Sequence, residues 1–219
     1  MIAIFENTQQ ALHVSFLVTS LPPRQKQQFR LALIQILESV GRLTARQAEF
    51  LDYLYGSSSG TINFDGLSGD EIRAQCAMVV AAVHDHLLKP ERNAVWLRYA
   101  CGMPARPASA TRAADPGIPP SAEWKRALVE MRTYLRPSLT VTNSDAIMAL
   151  IAGHSQARQR QDGLSYRAIS EETHVTIRTL ERNAQIIRKR LVGLEQQAVT
   201  RLTPLFERNN VTIAEAVEA

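Results

Sequence analysis

"GLSYRAISEETHVTIRTLERNAQIIRKR", residues 163–190, is the stretch on which the fold turns. Ser165 is placed to cap a short helix over Tyr166–Thr173, "HVT" makes a tight turn, and Thr176 is placed to cap a second helix opening at Ile177. Ile169, Val175, Leu180 and Ile187 stand where two short helices must be locked together. Small Ala168 and Ser170 allow a close approach. A merely solvated pair of basic helices needs none of these. The pattern leaves Ile177, Arg178, Glu181, Arg182 and Gln185 on the open face of the second helix.

Charge sharpens the reading. The formal net charge is +4, and residues 1–100 balance with nine basic and nine acidic side chains. Residues 156–190 hold eight basic against four acidic side chains, which alone equals the net excess. A local basic patch on a neutral body is the footprint of a nucleic-acid reader. In a helix-turn-helix, the second helix enters the major groove with its N-terminal residues toward the base edges. Arg178 and Arg182 suit guanine, Gln185 suits adenine, and Ile177 can meet a thymine methyl. Thr176 and Glu181 border the same face, while Arg167, Arg188, Lys189 and Arg190 can reach phosphate, which fixes register.

"LSYRAISEETHVTIRTLERN" resembles the helix-turn-helix of sigma-factor region 4 and of response-regulator output domains, whose pattern runs close to L-S-Y-R-E-I-A-E-x-L-G-V-S-x-R-T-V. Leu164, Ser165, Tyr166, Arg167, Ile169, Glu171, Val175, Arg178 and Thr179 match in place, and Thr176 and Leu180 are conservative. Two departures stand out. Thr173 replaces the usual leucine of the small core. His174 replaces the turn glycine, so it must accept a left-handed backbone. The resemblance spans residues 163–190 and implies double-stranded DNA as partner.

The rest of the chain reads as helix. Residues 8–19 and 23–40 are apolar at helical spacing, separated by Pro22 and Pro23; Thr44 with Gln47 opens a helix that ends before Gly56. Ser68 with Glu71 starts one running to about Leu88, with Ile72, Cys76, Val79, Val80 and Val83 as its stripe. Pro90 suits the first turn of the next, which ends near Gly102. Residues 102–120, with five prolines and no large apolar side chain beyond Met103 and Ile118, read as a linker. Helices follow at 121–136 and 144–160, the latter with Ser144 as expected N-cap. The expectation is an all-α chain: a helical partner-binding domain over 1–101, a linker over 102–120, a helix-turn-helix domain with an extended last helix over 121–210, and a tail over 211–219.

Beyond Arg190, the residues Leu180, Ala184, Ile187, Leu191, Leu194 and Ala198 keep a heptad seam. It serves either a homodimer or packing against the helices at 121–160. Gly193 weakens the helix by about 1 kcal/mol, and Arg201 breaks the seam.

Other chemistries find little footing. His84 and His86 lie near Cys76, but residues two apart on a helix face different ways and cannot share an ion. No Gly-rich phosphate loop, nucleophile elbow or zinc-protease motif occurs, so neither an enzyme, a cofactor nor a metal is expected. Trp96 and Tyr99 read as core anchors. No apolar run approaches the ~20 residues of a bilayer span. Cys76 and Cys101 form no CxxC pair, which fits free thiols in a cytoplasm.

The expected function is a bacterial or phage transcription regulator whose N-terminal domain contacts RNA polymerase, a sigma factor or a second subunit. Its layout is similar to prophage-encoded regulators, late-gene antitermination factors in particular. A DNA-marking assembly protein, like the small terminase subunits of phage packaging, remains open from the residues, as does a basic helix that binds an acidic protein.

Overall fold

The computed structural model describes residues 3–20, 69–102, 117–155 and 164–213. The helices expected over 23–40 and 44–55, and most of the stretch 102–120, lie outside them. The described residues form seven α-helices: α1 (Thr8–Ser20), α2 (Gly69–His86), α3 (Lys89–Tyr99), α4 (Ala122–Leu135), α5 (Ser144–Ser155), α6 (Tyr166–Thr173) and α7 (Ile177–Arg208). A 3₁₀ turn, Arg136–Ser138, follows α4. Among the described residues there is no strand; an isolated bridge joins Phe5 and Thr212. The chain is all-α, as its periodicities predict.

The chain gathers into two compact units, residues 1–86 with 199–219, and residues 87–198. In the first, α1 packs on α2. Leu12, Val14, Phe16 and Val18 of α1 are buried, as are Cys76, Val79 and Val83 of α2. Burial pushes the Cys76 thiol up to about 11, so it stays protonated and behaves as an apolar filler. Leu202 and Phe206, from the end of α7, are buried as well. That end is closed by Asn210 in the left-handed region (φ 54°). Its N–H donates to the Glu207 carbonyl (3.0 Å), and the Val211 N–H reaches back to Phe206 (2.8 Å), the paired bonds of a Schellman cap. Residues 211–213, at the start of the expected tail, are tied down by backbone bonds. The Phe5 N–H donates to the Val211 carbonyl (3.0 Å), and the Ile213 N–H donates to that of Phe5 (3.1 Å).

The second unit joins α3, α4, α5 and α6 with residues 177–198 of α7. Helix α4 packs on α3 and α5, and α5 packs on α6. Ser121 caps α4 by accepting from the Trp124 N–H at 3.0 Å. The Trp124 indole donates to the Ser155 hydroxyl (2.9 Å), which donates to the Leu97 carbonyl, so one buried serine ties three helices. Pro90 stands in the first turn of α3, and the Glu91 carboxylate accepts from the Leu88 N–H at 3.1 Å.

Helix α3 therefore falls with α4 and α5, beyond the boundary that composition places at 102–120. The ends of that stretch show why. The Ser121 N–H donates to the Ala100 carbonyl (3.2 Å). Gly102 (φ +75°) lies so close to the Ile118–Pro120 backbone that a Cβ there would overlap it. The described ends of the proline-rich stretch thus meet within one unit, and the apolar face of α3 (Ala94, Val95, Leu97) is buried.

Candidate nucleic-acid interface

Helices α6 and α7 begin alike, each with a hydroxyl residue, an exposed apolar residue and an arginine: Ser165–Tyr166–Arg167 and Thr176–Ile177–Arg178. The Ser165 hydroxyl caps α6 by accepting from the Ala168 N–H at 3.2 Å. At Thr176 it is the carbonyl that opens α7, accepting from the N–H groups of Thr179 and Leu180 at 3.0 Å. The Thr176 hydroxyl lies 2.8 Å from that of Thr179.

Between the helices, His174 adopts the left-handed backbone that its position demands (φ 56°, ψ 23°), and its N–H closes α6 on the Ser170 carbonyl. Ile169, Leu180 and Ile187 are fully buried and lock the pair, whereas Val175 is only half-buried. Thr173, which stands where the resembling domains carry a core leucine, is half-buried, and its hydroxyl donates to the Ile169 carbonyl of its own helix (2.6 Å).

Every residue expected at the interface is exposed: Arg167, Thr176, Ile177, Arg178, Glu181, Arg182, Gln185, Arg188 and Lys189. Arg178, Arg182, Gln185 and Lys189 succeed one another at steps of four, three and four, a single stripe about 16 Å long at 1.5 Å per residue. Leu180, Asn183, Ile187 and Leu191 are buried on the opposite side. Ile177, at 44% exposure, is a large apolar side chain held in solvent at the head of the stripe. Arg167 pairs with Glu171 (3.0 Å), both well exposed, a contact that contributes little on an open surface.

The first turns of α6 and α7 contain no acidic residue, and each holds an arginine at its second position. Positive charge at the positive end of a helix dipole is locally unfavourable. An anion bound there is attracted both by the helix N-terminus and by the arginine, which offsets that repulsion.

Asn183 and Asn143 were not among the expected site residues, yet they set the surroundings of the stripe. Asn183 is fully buried. Its carbonyl accepts from the N–H groups of Thr140 (2.9 Å) and Val141 (3.4 Å), and its amide donates to the Thr140 hydroxyl (2.8 Å) and the Thr179 carbonyl (2.7 Å). Asn143, rather than the expected Ser144, caps α5, accepting from the N–H groups of Asp145 (2.9 Å) and Ala146 (3.0 Å). Its own amide donates to the Thr173 carbonyl at the end of α6 (3.4 Å). A signal for Asn183 lies in the spacing, since Leu180, Asn183 and Ile187 share one face; Asn143 is one residue from the cap that was expected.

Farther along α7, Glu195 stands 3.9 Å from both the Arg98 guanidinium and the His154 ring. Burial, with the nearby Arg98 and Arg188 charges, lowers the His154 pKa despite that carboxylate. Contacts of 3.9 Å are too long to offset the desolvation of the ring.

A comparison with protein-family models finds no match for the chain, and a comparison with curated proteins finds no relative.

Proposed function

We propose that this chain is a sequence-specific, double-stranded-DNA-binding transcription regulator with α7 as its recognition helix. The observation that carries the reading is the exposed Arg178–Arg182–Gln185–Lys189 stripe. It lies opposite a buried face, on a helix joined to α6 by a three-residue turn with a left-handed first residue. A helix about 10–12 Å across fits a major groove about 12 Å wide. In this reading Arg178 and Arg182 pair with guanines, Gln185 with adenine, and Ile177 packs on a thymine methyl. Arg167, Arg188 and Lys189 hold phosphates, while Thr176 and Glu181 border the base edges. The acid-free first turns of α6 and α7 support an anionic partner. The layout, a helical N-terminal part with a reader that resembles sigma-factor region 4, extends the reading to RNA polymerase or its sigma factor as protein partner, and to activation or antitermination as mode of action.

Selection of bound sequences from random duplexes tests it. The full chain enriches one short motif, and Arg178→Ala or Arg182→Ala each lowers preference for that motif by about 1–3 kcal/mol per lost base contact. Unchanged preference in both variants sinks the recognition-helix assignment.

A further inference from the structure

Between Ile177 and Ile186 the exposed residues of α7 are Ile177, Arg178, Glu181, Arg182 and Gln185, and no others. Glu181 stands at the centre of that set. Ile177 and Arg178 lie four and three residues before it, Arg182 follows it directly, and Gln185 lies four residues after it. Side chains three and four apart on a helix are neighbours, with Cβ atoms about 5–6 Å from one another. A contact surface that takes in Arg178, Arg182 and Gln185 therefore takes in Glu181 as well.

A carboxylate at that place is costly against DNA for two reasons. Phosphates repel it on every duplex, whatever the sequence. It also accepts hydrogen bonds and donates none, so once the groove strips its water it must meet a donor. Among the described residues Glu181 forms no ion pair with Arg178 or Arg182, whereas Glu171 on α6 is engaged by Arg167 at 3.0 Å. In the major groove guanine presents two acceptors, thymine an acceptor and a methyl group, and adenine a donor beside an acceptor. Cytosine presents its N4 amino donor alone. An acceptor-only side chain is matched there and opposed at guanine and thymine.

We infer that Glu181 is a specificity-determining residue of the DNA interface, whose carboxylate accepts from the N4 amino group of a cytosine and weakens binding to every duplex that lacks one at that step. The inference rests on the DNA-reading function proposed above. Arg178 and Arg182 attract any duplex by charge as well as matching guanine. Glu181 opposes that general attraction and is compensated only at the right base, so it sharpens choice by penalising wrong sites.

The experiment compares the full-length chain with Glu181→Ala and Glu181→Gln. Each is put through selection from random duplexes, then titrated with the selected duplex, the same duplex with its cytosine changed, and a random duplex. Position 181 is exposed and both replacements are good helix formers, so the fold is retained. The wild-type motif holds a cytosine whose replacement by thymine lowers affinity about fivefold to a hundredfold. Glu181→Ala loses discrimination at that position alone, keeps the guanine positions, and binds the random duplex about twofold to fivefold more tightly. Glu181→Gln, whose amide matches the adjacent donor and acceptor of adenine, moves the preference there from cytosine to adenine. Unchanged preference at every position in both variants overturns the role of Glu181 and leaves Arg178 and Arg182 as readers. Preference lost at a guanine position instead also overturns it, by showing that Glu181 acts on the neighbouring arginines rather than on a base. No binding of any duplex by the wild-type chain sinks both the proposed function and this extension of it.

Discussion

His174 shows how one residue can carry the geometry of a turn. Its φ of 56° lies in the left-handed region, where an L side chain other than Gly pays about 1–2 kcal/mol. The sequence pattern demanded this conformation wherever the glycine of the resembling domains is replaced, and the backbone adopts it. His174→Gly relieves the strain but gives back part of the gain through the greater freedom of glycine when unfolded. The expected outcome is a gain of about 1 kcal/mol, seen as a higher urea midpoint at unchanged slope. A lower midpoint means that the imidazole contributes more than the backbone loses. Asn183 marks the limit of reading at this scale. Its register on the buried face is visible in sequence, but its partners at Thr140 and Val141 lie some forty residues away and follow from tertiary packing alone.

Helices are where the sequence speaks most plainly. Thr8–Ser20, Ala122–Leu135 and Tyr166–Thr173 fall within a residue or so of their expected bounds, since apolar spacing and hydroxyl caps act locally. Asn143 shows the local rule failing by one step, two adjacent polar residues competing for one cap. Helix α7 runs on to Arg208, past Gly193 and with Pro204 inside it, because its buried stripe outweighs two poor helix formers. Gly193 is half-buried within α7, and a Cβ added there meets nothing within 4 Å. Gly193→Ala therefore adds helix propensity without a clash. It should stabilise the chain by about 1 kcal/mol and leave DNA affinity unchanged, since position 193 lies beyond the proposed contacts. Thermal unfolding and duplex titration of the same variant check both halves; a destabilised variant would show that the glycine meets a need the backbone does not reveal.

At the scale of the whole chain, composition alone was a poor guide to where the units divide. The proline-rich stretch does change character at Gly102, yet Ala100, Gly102, Ile118 and Ser121 come together across it. A composition shift cannot distinguish an excursion from a hinge; only contacts between its ends do. The heptad seam poses the same kind of question, and burial within one chain bears on it. Leu180, Ile187, Leu191 and Ala198 are each at most 1% exposed within a single chain, while Ala184 and Leu194 are half-buried, so most of the residues that could zip two copies together already pack within one. In the proposed reading each chain then presents one recognition helix. Unless another surface pairs two chains, nothing requires the bound site to be two-fold symmetric. The expected outcome is a sedimenting species of 24.4 kDa without DNA, a one-to-one complex with a short duplex, and selected sites that lack a palindrome. A dimer bound to half-sites about 10 base pairs apart would require a second pairing surface. A dimer that Leu191→Ser dissolves into folded monomers would require the seam to open, contrary to the burial seen along α7.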